Sequence, residues 1–444
     1  MSCDVLNLEW SSRGRDRESA TLICEALRRR GHSVVEGSIF NYRYLLLKHR
    51  PRVLYLADPT GARLNYQVAL FAERAGIPAV CLDAEGNYTP DLADEMFWGH
   101  ITDRRLPVRL KLQWSMRARE TVLGLAPDLR DRLRVTGAPG FDRYGLYDFA
   151  SKGEWRRKYG FAKERVYGYA TWAFDSLYSD VGTVRRYADI YGEPALDRFR
   201  RDRDALRELL AEVVRSNEDA LFLLKEHPGV TNPAATEIAG LDRFPNVLKI
   251  KNEETIGDCI NVCDVWMAYE STTAIEAWLL GKPTLFVNPS GGDFQRANVH
   301  KGNPLLETAE AVDGALREHH QTGEIEGFEA RRDARQAILA ATVQWTDGRN
   351  HVRAAHYIDG LLSASQGRPR FGARATLAAH GEHLLFAGAA RWHSLPGFRR
   401  YAAARRSFDD DQLAQARRRA TEATAGLEPT LRPDELAELE AANP

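Results

Sequence analysis

The stretch Asp264–Pro289, DVWMAYESTTAIEAWLLGKPTLFVNP, decides the fold. Asp264–Ala268 is short, apolar and rich in strand-forming residues, so it reads as a buried strand. Ser271, Thr272 and Thr273 are helix-capping types, and Glu276 closes a capping box if Thr273 is the cap. Thr273–Leu280 supplies about two helical turns. Gly281 ends the helix, Lys282 suits its negative end, and Pro283 blocks continuation. Thr284–Val287 is a second buried strand. A strand feeding a hydroxyl-rich helix start favours an anion, because free N–H groups and the helix dipole point at whatever sits there. The same pattern also fits an ordinary capped helix in an α/β unit.

The alternation extends outward from this stretch. Val166–Ala170, Leu221–Leu224 and Val247–Ile250 read as strands, with helices at about Asp202–Arg215 and Glu254–Asn261. Near the N-terminus, strands Val5–Leu8, Ser33–Glu36, Val53–Ala57 and Ala79–Leu82 alternate with helices Ser19–Arg30, Tyr42–Lys48 and Leu64–Ala75. Short links between unlike elements imply parallel sheets with helices on both faces. A chain of 444 residues exceeds one ordinary domain. The expected organisation is an α/β chain of two Rossmann-like, doubly wound domains facing a cleft. The first spans 1–143, 144–164 is a linker, and 165–345 is the second. A closing helix at 346–364 and a helical extension at 365–444 follow. Within these, 89–133 reads as mostly helical and 305–342 as helices.

The net charge of -1 gives no electrostatic case for nucleic acid. The five cysteines are scattered, and no His or Cys pair has zinc spacing, so no metal site is expected. Sparse, odd cysteines suggest a reducing compartment. No run of 18 apolar residues occurs, and a cytoplasmic location is expected. Residues 366–406 differ from the rest, with eight arginines against one acid, Glu382, and several interleaved leucines and aromatics. Such a segment suits either peripheral contact with the anionic inner face of the cytoplasmic membrane or packing of its apolar side chains on the domains.

Ligands of parallel α/β sheets bind beyond the C-terminal strand ends. Several loops in those places carry chemistry. The second domain offers Lys225, His227, Ser271, Thr272 and Glu276 to a phosphate-bearing donor. The first offers Arg13 and Arg17 to a substrate, and Asp83 and Glu85 as proton acceptors. Cations and helix starts stabilise a leaving phosphate, while a carboxylate takes a hydroxyl proton.

These residues carry a resemblance. Leu8-Glu9 … Arg17-Glu18, Asp83-Ala-Glu-Gly86, Val135-Thr-Gly-Ala-Pro139 … Asp142, Lys225-Glu-His-Pro228, Tyr269–Ala277 … Gly281-Lys-Pro283 and Asp347-Gly-Arg349 come in order over about residues 3–360. The chain resembles bacterial surface-carbohydrate glycosyltransferases of the two-domain GT-B type, including CMP-sugar and CDP-glycerol transferases. The resemblance implies that Glu85 is the general base and that His227, Ser271 and Thr272 hold the nucleotide phosphate. It also implies that Glu276 holds the donor ribose. This sequence has Ala84 where those relatives have a second acid, which leaves Asp83 as a competitor for the base. The implied function is sugar transfer from a nucleotide-sugar donor, CMP-linked being favoured, to a surface polysaccharide or its lipid-linked precursor. The donor is substrate, and no cofactor is implied. A nucleotide-sugar 2-epimerase is one alternative, although it needs a ring of acids that the sequence does not visibly supply. A catalytically silent subunit of an envelope-glycan assembly is another.

Overall fold

The computed structural model describes the chain except residues 1, 13, 59–61, 84, 88–89, 100, 180, 292–297, 366, 370 and 390, and describes residues 186, 190, 397, 400, 403, 405 and 406 by backbone alone. Two compact units result: Met1–Tyr147 with Ala340–Pro444, and Asp148–Leu339. The first therefore includes the C-terminal extension. The stretch read as a linker, 144–164, instead divides between the units. Most of it belongs to the second, as the helix Lys152–Tyr159, which a Ser151/Glu154 capping box starts and Gly160 in the left-handed region (φ 69°) ends.

The first sheet contains β1 (Val5–Glu9), β2 (Val34–Ser38), β3 (Val53–Ala57), β4 (Ala79–Leu82), β5 (Leu110–Gln113) and β6 (Leu133–Val135). All pairings are parallel, in spatial order β2-β1-β3-β4-β5-β6. Strands covered on both faces need no polar alternation: VLYLA reads almost continuously apolar, and VLNLE is buried throughout although it carries Asn7 and Glu9. The strand order reverses between β1 and β3. This is the switch point where crossovers leave to opposite faces and a crevice opens beyond the strand ends. The helix Arg15–Arg29 follows β1, with Asp16 and Glu18 in its first turn and Arg28 and Arg29 in its last, as the helix dipole prefers.

The second sheet contains β7 (Arg165–Ala170), β8 (Ala220–Lys225), β9 (Val247–Ile250), β10 (Val265–Ala268), β11 (Thr284–Val287) and β12 (Leu305–Leu306). Its order is β12-β11-β10-β7-β8-β9, again all parallel, with the switch point between β7 and β10. The long helix Glu193–Ser216 buries Leu206, Leu210 and Val213 against this sheet's core. Two strands differ from the sequence expectation. Leu110–Gln113 lies inside the stretch read as helical, and Leu305–Leu306 opens the one read as helices.

The C-terminal chain closes the first unit through buried polar contacts. Asp142 accepts from Asn350 Nδ2 at 2.9 Å and meets His351 Nδ1 at 2.8 Å. Arg349 pairs with Glu435 at 2.5 Å, and Arg353 with Asp347 at 2.7 Å. Asp142, Asp347 and Arg349, part of the sequence resemblance, thus serve packing here.

Candidate functional site

At the first unit's switch point, strand ends bring acidic side chains together. Glu9 ends β1, Asp58 follows β3 and Asp83 follows β4. Between the strands a small cavity of about 10 Å³, room for about one water, is lined by Glu9, Asp16, Tyr55, Ala57, Leu82 and Asp83. Lys111 of β5 lies beneath, fully buried. Its ammonium donates to Asp58 Oδ1 and meets Asp83 Oδ1, both at 2.7 Å, and stands 4.2 Å from the Phe97 ring centre. Burial opposes that charge, but Asp58 and Asp83 more than offset it and hold the ammonium protonated well above the usual lysine range.

Two of the carboxyls are raised as well, here by burial. Burial pushes Asp83 up to about 6, although Lys111 pulls against it; Asp58 adds to the rise. Burial likewise pushes Glu9 up to about 7 against Arg17 and a 2.9 Å hydrogen bond from Asn7 Nδ2. Carboxyls poised near neutrality exchange protons at cellular pH. Asp83 is also held through its backbone, where its carbonyl accepts from Trp114 Nε1 at 2.7 Å. The Trp114 ring explains Gly86 as well: a Cβ there would lie 2.5 Å from the indole.

Glu85 stands apart from the buried group. Its side chain is half exposed and pairs with Arg15 at 2.5 Å, and the Arg15 guanidinium lies 4.9 Å from the Trp114 ring centre. Arg17, expected at a substrate, is 1% exposed. It pairs with Glu36 and donates to Thr21 Oγ1 at 3.1 Å and Asn7 Oδ1 at 3.2 Å, so it braces β1 from within. Arg13 lies outside the described residues.

The second unit's switch point holds the expected phosphate residues. Ala268, Ala170 and Lys225 stand side by side on β10, β7 and β8, so the segments leaving those strands share one edge. Ser271 and Thr272 follow β10 and are partly exposed; Ser271 Oγ accepts from the Thr273 N–H at 3.2 Å. His227 is exposed beyond β8. Its N–H donates to Thr171 Oγ1 at 2.7 Å, and its Nδ1 accepts from the Gly229 N–H at 3.1 Å. Burial holds the Lys225 ammonium below its ordinary value, and Nζ donates to the Lys251 carbonyl. The capping box expected of Thr273 and Glu276 does not form. The cap is Thr272, Thr273 Oγ1 accepts from Trp266 Nε1 at 3.0 Å, and Glu276 is buried. Among the described residues no cluster of His, Cys, Asp and Glu could hold a metal ion.

Sequence reading missed Glu9, Asp58 and Lys111. The two acids were detectable, since each sits where Asp83 does, at the end of a parallel strand. Lys111 was not, because β5 was hidden. The acid supply that looked thin is thus concentrated at one strand edge.

No known protein-family profile matches the chain, and no curated protein matches it. Solved structures do. S. aureus MnaA in complex with UDP aligns at 12% identity and TM-score 0.53 over 84% of this chain and all of its own. A Listeria monocytogenes protein assigned as a UDP-N-acetylglucosamine 2-epimerase gives 12% and 0.54 over the same shares. The fold is of the GT-B type. At that identity the likeness establishes architecture, and the two Rossmann-like sheets expected from the sequence are the observed ones.

Proposed function

We propose that this chain is a nucleotide-sugar enzyme that transfers a glycosyl group, with Asp83 rather than Glu85 as proton acceptor. The observation that carries the reading is the buried Asp83 carboxyl, raised to about 6 and seated on the Lys111 ammonium at the switch-point pocket. At pH 7 to 8 such a group is mostly ionised yet basic enough to accept a hydroxyl proton. As the acceptor oxygen bonds to the sugar's anomeric carbon, the bond to the donor phosphate breaks and the proton goes to Asp83. In the second unit, His227, Ser271 and Thr272 bind the donor phosphate. Glu85 is half exposed and held by the largely buried Arg15, which suits contact with acceptor hydroxyls. The donor is a pyrimidine nucleotide sugar. The CMP link is favoured by sequence resemblance, and the UDP bound to the fold neighbour makes UDP-linked sugars the other donors to test. The acceptor is a surface glycan or its lipid-linked precursor.

The acid cluster supports a second reading. Glu9, Asp16 and Asp83 around one pocket could remove and return a proton on a sugar carbon, as a nucleotide-sugar 2-epimerase requires. NMR of the chain with UDP- and CMP-linked sugars and an acceptor panel separates the two. Glycosyl transfer yields free nucleotide and a glycoside, and epimerisation yields a new intact donor. Transfer that survives in Asp83→Asn but dies in Glu85→Gln would return the base to Glu85.

A further inference from the structure

The helix Ala373–Gly388 splits cleanly around its axis. One side packs on the first unit: His383 stacks on Tyr44 with ring centres 3.6 Å apart, Glu382 pairs with Arg43, and Phe386 is buried with Ala389, Tyr401 and Ala402. The opposite side carries Leu377 and Leu384, seven residues and hence two turns apart, exposed to 77% and 71%. The chain continues into Trp392 and Leu395, exposed to 51% and 50%. A helix that is secured along one side and apolar along the other leaves a surface patch that needs a partner.

Charge identifies that partner. Residues 366–406 hold eight arginines and one acid, and the acid, Glu382, is turned inward onto Arg43. Arg374, three residues before Leu377, Arg391, next to Trp392, and Arg399 are exposed, and among the described residues none of the three forms an ion pair, so the segment combines exposed apolar side chains with positive charge. We propose that this face docks the first unit on an anionic lipid surface, with the leucines and Trp392 entering the headgroup boundary and the arginines meeting lipid phosphates. No helix among the described residues is long and apolar enough to cross a membrane, so the contact is interfacial. The inference is independent of the proposed activity, although a lipid-linked acceptor would make use of it.

The test is co-sedimentation of the full chain with phosphatidylcholine vesicles, pure or containing a quarter phosphatidylglycerol. The wild type should pellet with the anionic vesicles only, and 0.5 M salt should release it. Each arginine near an anionic surface is worth about fivefold in partitioning, so Arg374→Glu with Arg391→Glu should lower it by at least ~25-fold. Leu377→Ser with Leu384→Ser should weaken it roughly tenfold or more per side chain. All four positions are exposed, so the fold survives, which circular dichroism checks. Equal pelleting with neutral vesicles, no pelleting at all, or variants that pellet like wild type would each overturn the proposal. A dimer in light scattering that Leu377→Ser with Leu384→Ser dissolves would instead make this face a contact between copies.

Discussion

Replacing Lys111 with Met tests the electrostatic reading of the switch-point pocket. The substitution preserves most of the side chain's volume and removes one buried charge from between two carboxylates, each 2.7 Å away. Removing one partner of a buried ion pair typically costs about 3–5 kcal/mol, because the remaining charge is left without compensation. The variant should lose that amount at pH 7.5. The loss should also depend on pH, and its sign follows from Asp83. A carboxyl raised above its unfolded value favours folding at low pH and loses that advantage as pH rises through the folded value. In the wild type that value is about 6. Without the ammonium, burial and Asp58 act unopposed and push it higher still, so the variant's folded state retains a proton across the range. Each bound proton is worth about 1.4 kcal/mol per pH unit, so between pH 7.5 and 5.5 the variant gains roughly 2.5 kcal/mol and the wild type under 1. The deficit should shrink by about 2 kcal/mol on acidification. Urea unfolding of both proteins at the two pH values measures this. A deficit below about 1 kcal/mol at pH 7.5, or one equal at both pH values, would refute the reasoning.

Other perturbations follow from the same residues. Glu9→Gln removes a carboxyl that burial raises to about 7. Because that group's contribution to folding is lost as pH rises, the variant should gain about 2–3 kcal/mol on the wild type between pH 5 and 8 in urea melts, and parallel pH curves would contradict this. Asp83→Asn should lower turnover by about 10²–10⁴-fold while sparing nucleotide affinity, as kinetics and calorimetry would report. His227→Ala, and Ser271→Ala with Thr272→Ala, should each weaken nucleotide binding about tenfold or more in calorimetric titration. Ser151→Ala breaks a complete capping box and should cost about 1 kcal/mol in urea unfolding; no change would mean the helix start is held by packing alone.

The alternating pattern made most of the fold legible. Gly281 ends its helix in the left-handed region at φ 67°, as the Gly-Lys-Pro sequence implies, and the strands on either side lie adjacent in one parallel sheet. The position of the proposed phosphate residues was legible for a related reason: capping-type hydroxyls after a strand mark a sheet edge whatever the sheet order. What was hidden is instructive. In β5, Leu-Lys-Leu-Gln, the lysine and glutamine are both fully buried, so a strand inside the stretch read as mostly helical carries polar residues as interior groups. Only the tertiary neighbours Asp58 and Asp83, 53 and 28 positions away, make a buried lysine stable there. Arg17 was misread for the converse reason. A run of arginines looks like a solvated loop or a clamp, yet Arg17 points inward to Glu36, a partner that sequence proximity does not reveal.

Nucleotide recognition is the central claim, and thermal shift tests it most directly. The full chain would be heated with UDP, CDP, CMP, GDP and dTDP, alongside His227→Ala. A ligand that binds only the folded state at a hundred times its Kd adds about 2.7 kcal/mol to stability. The account predicts that one or more of the pyrimidine nucleotides raises Tm by several degrees in the wild type and by much less in His227→Ala. No shift with any nucleotide at millimolar concentration, or an equal shift in both proteins, would contradict it.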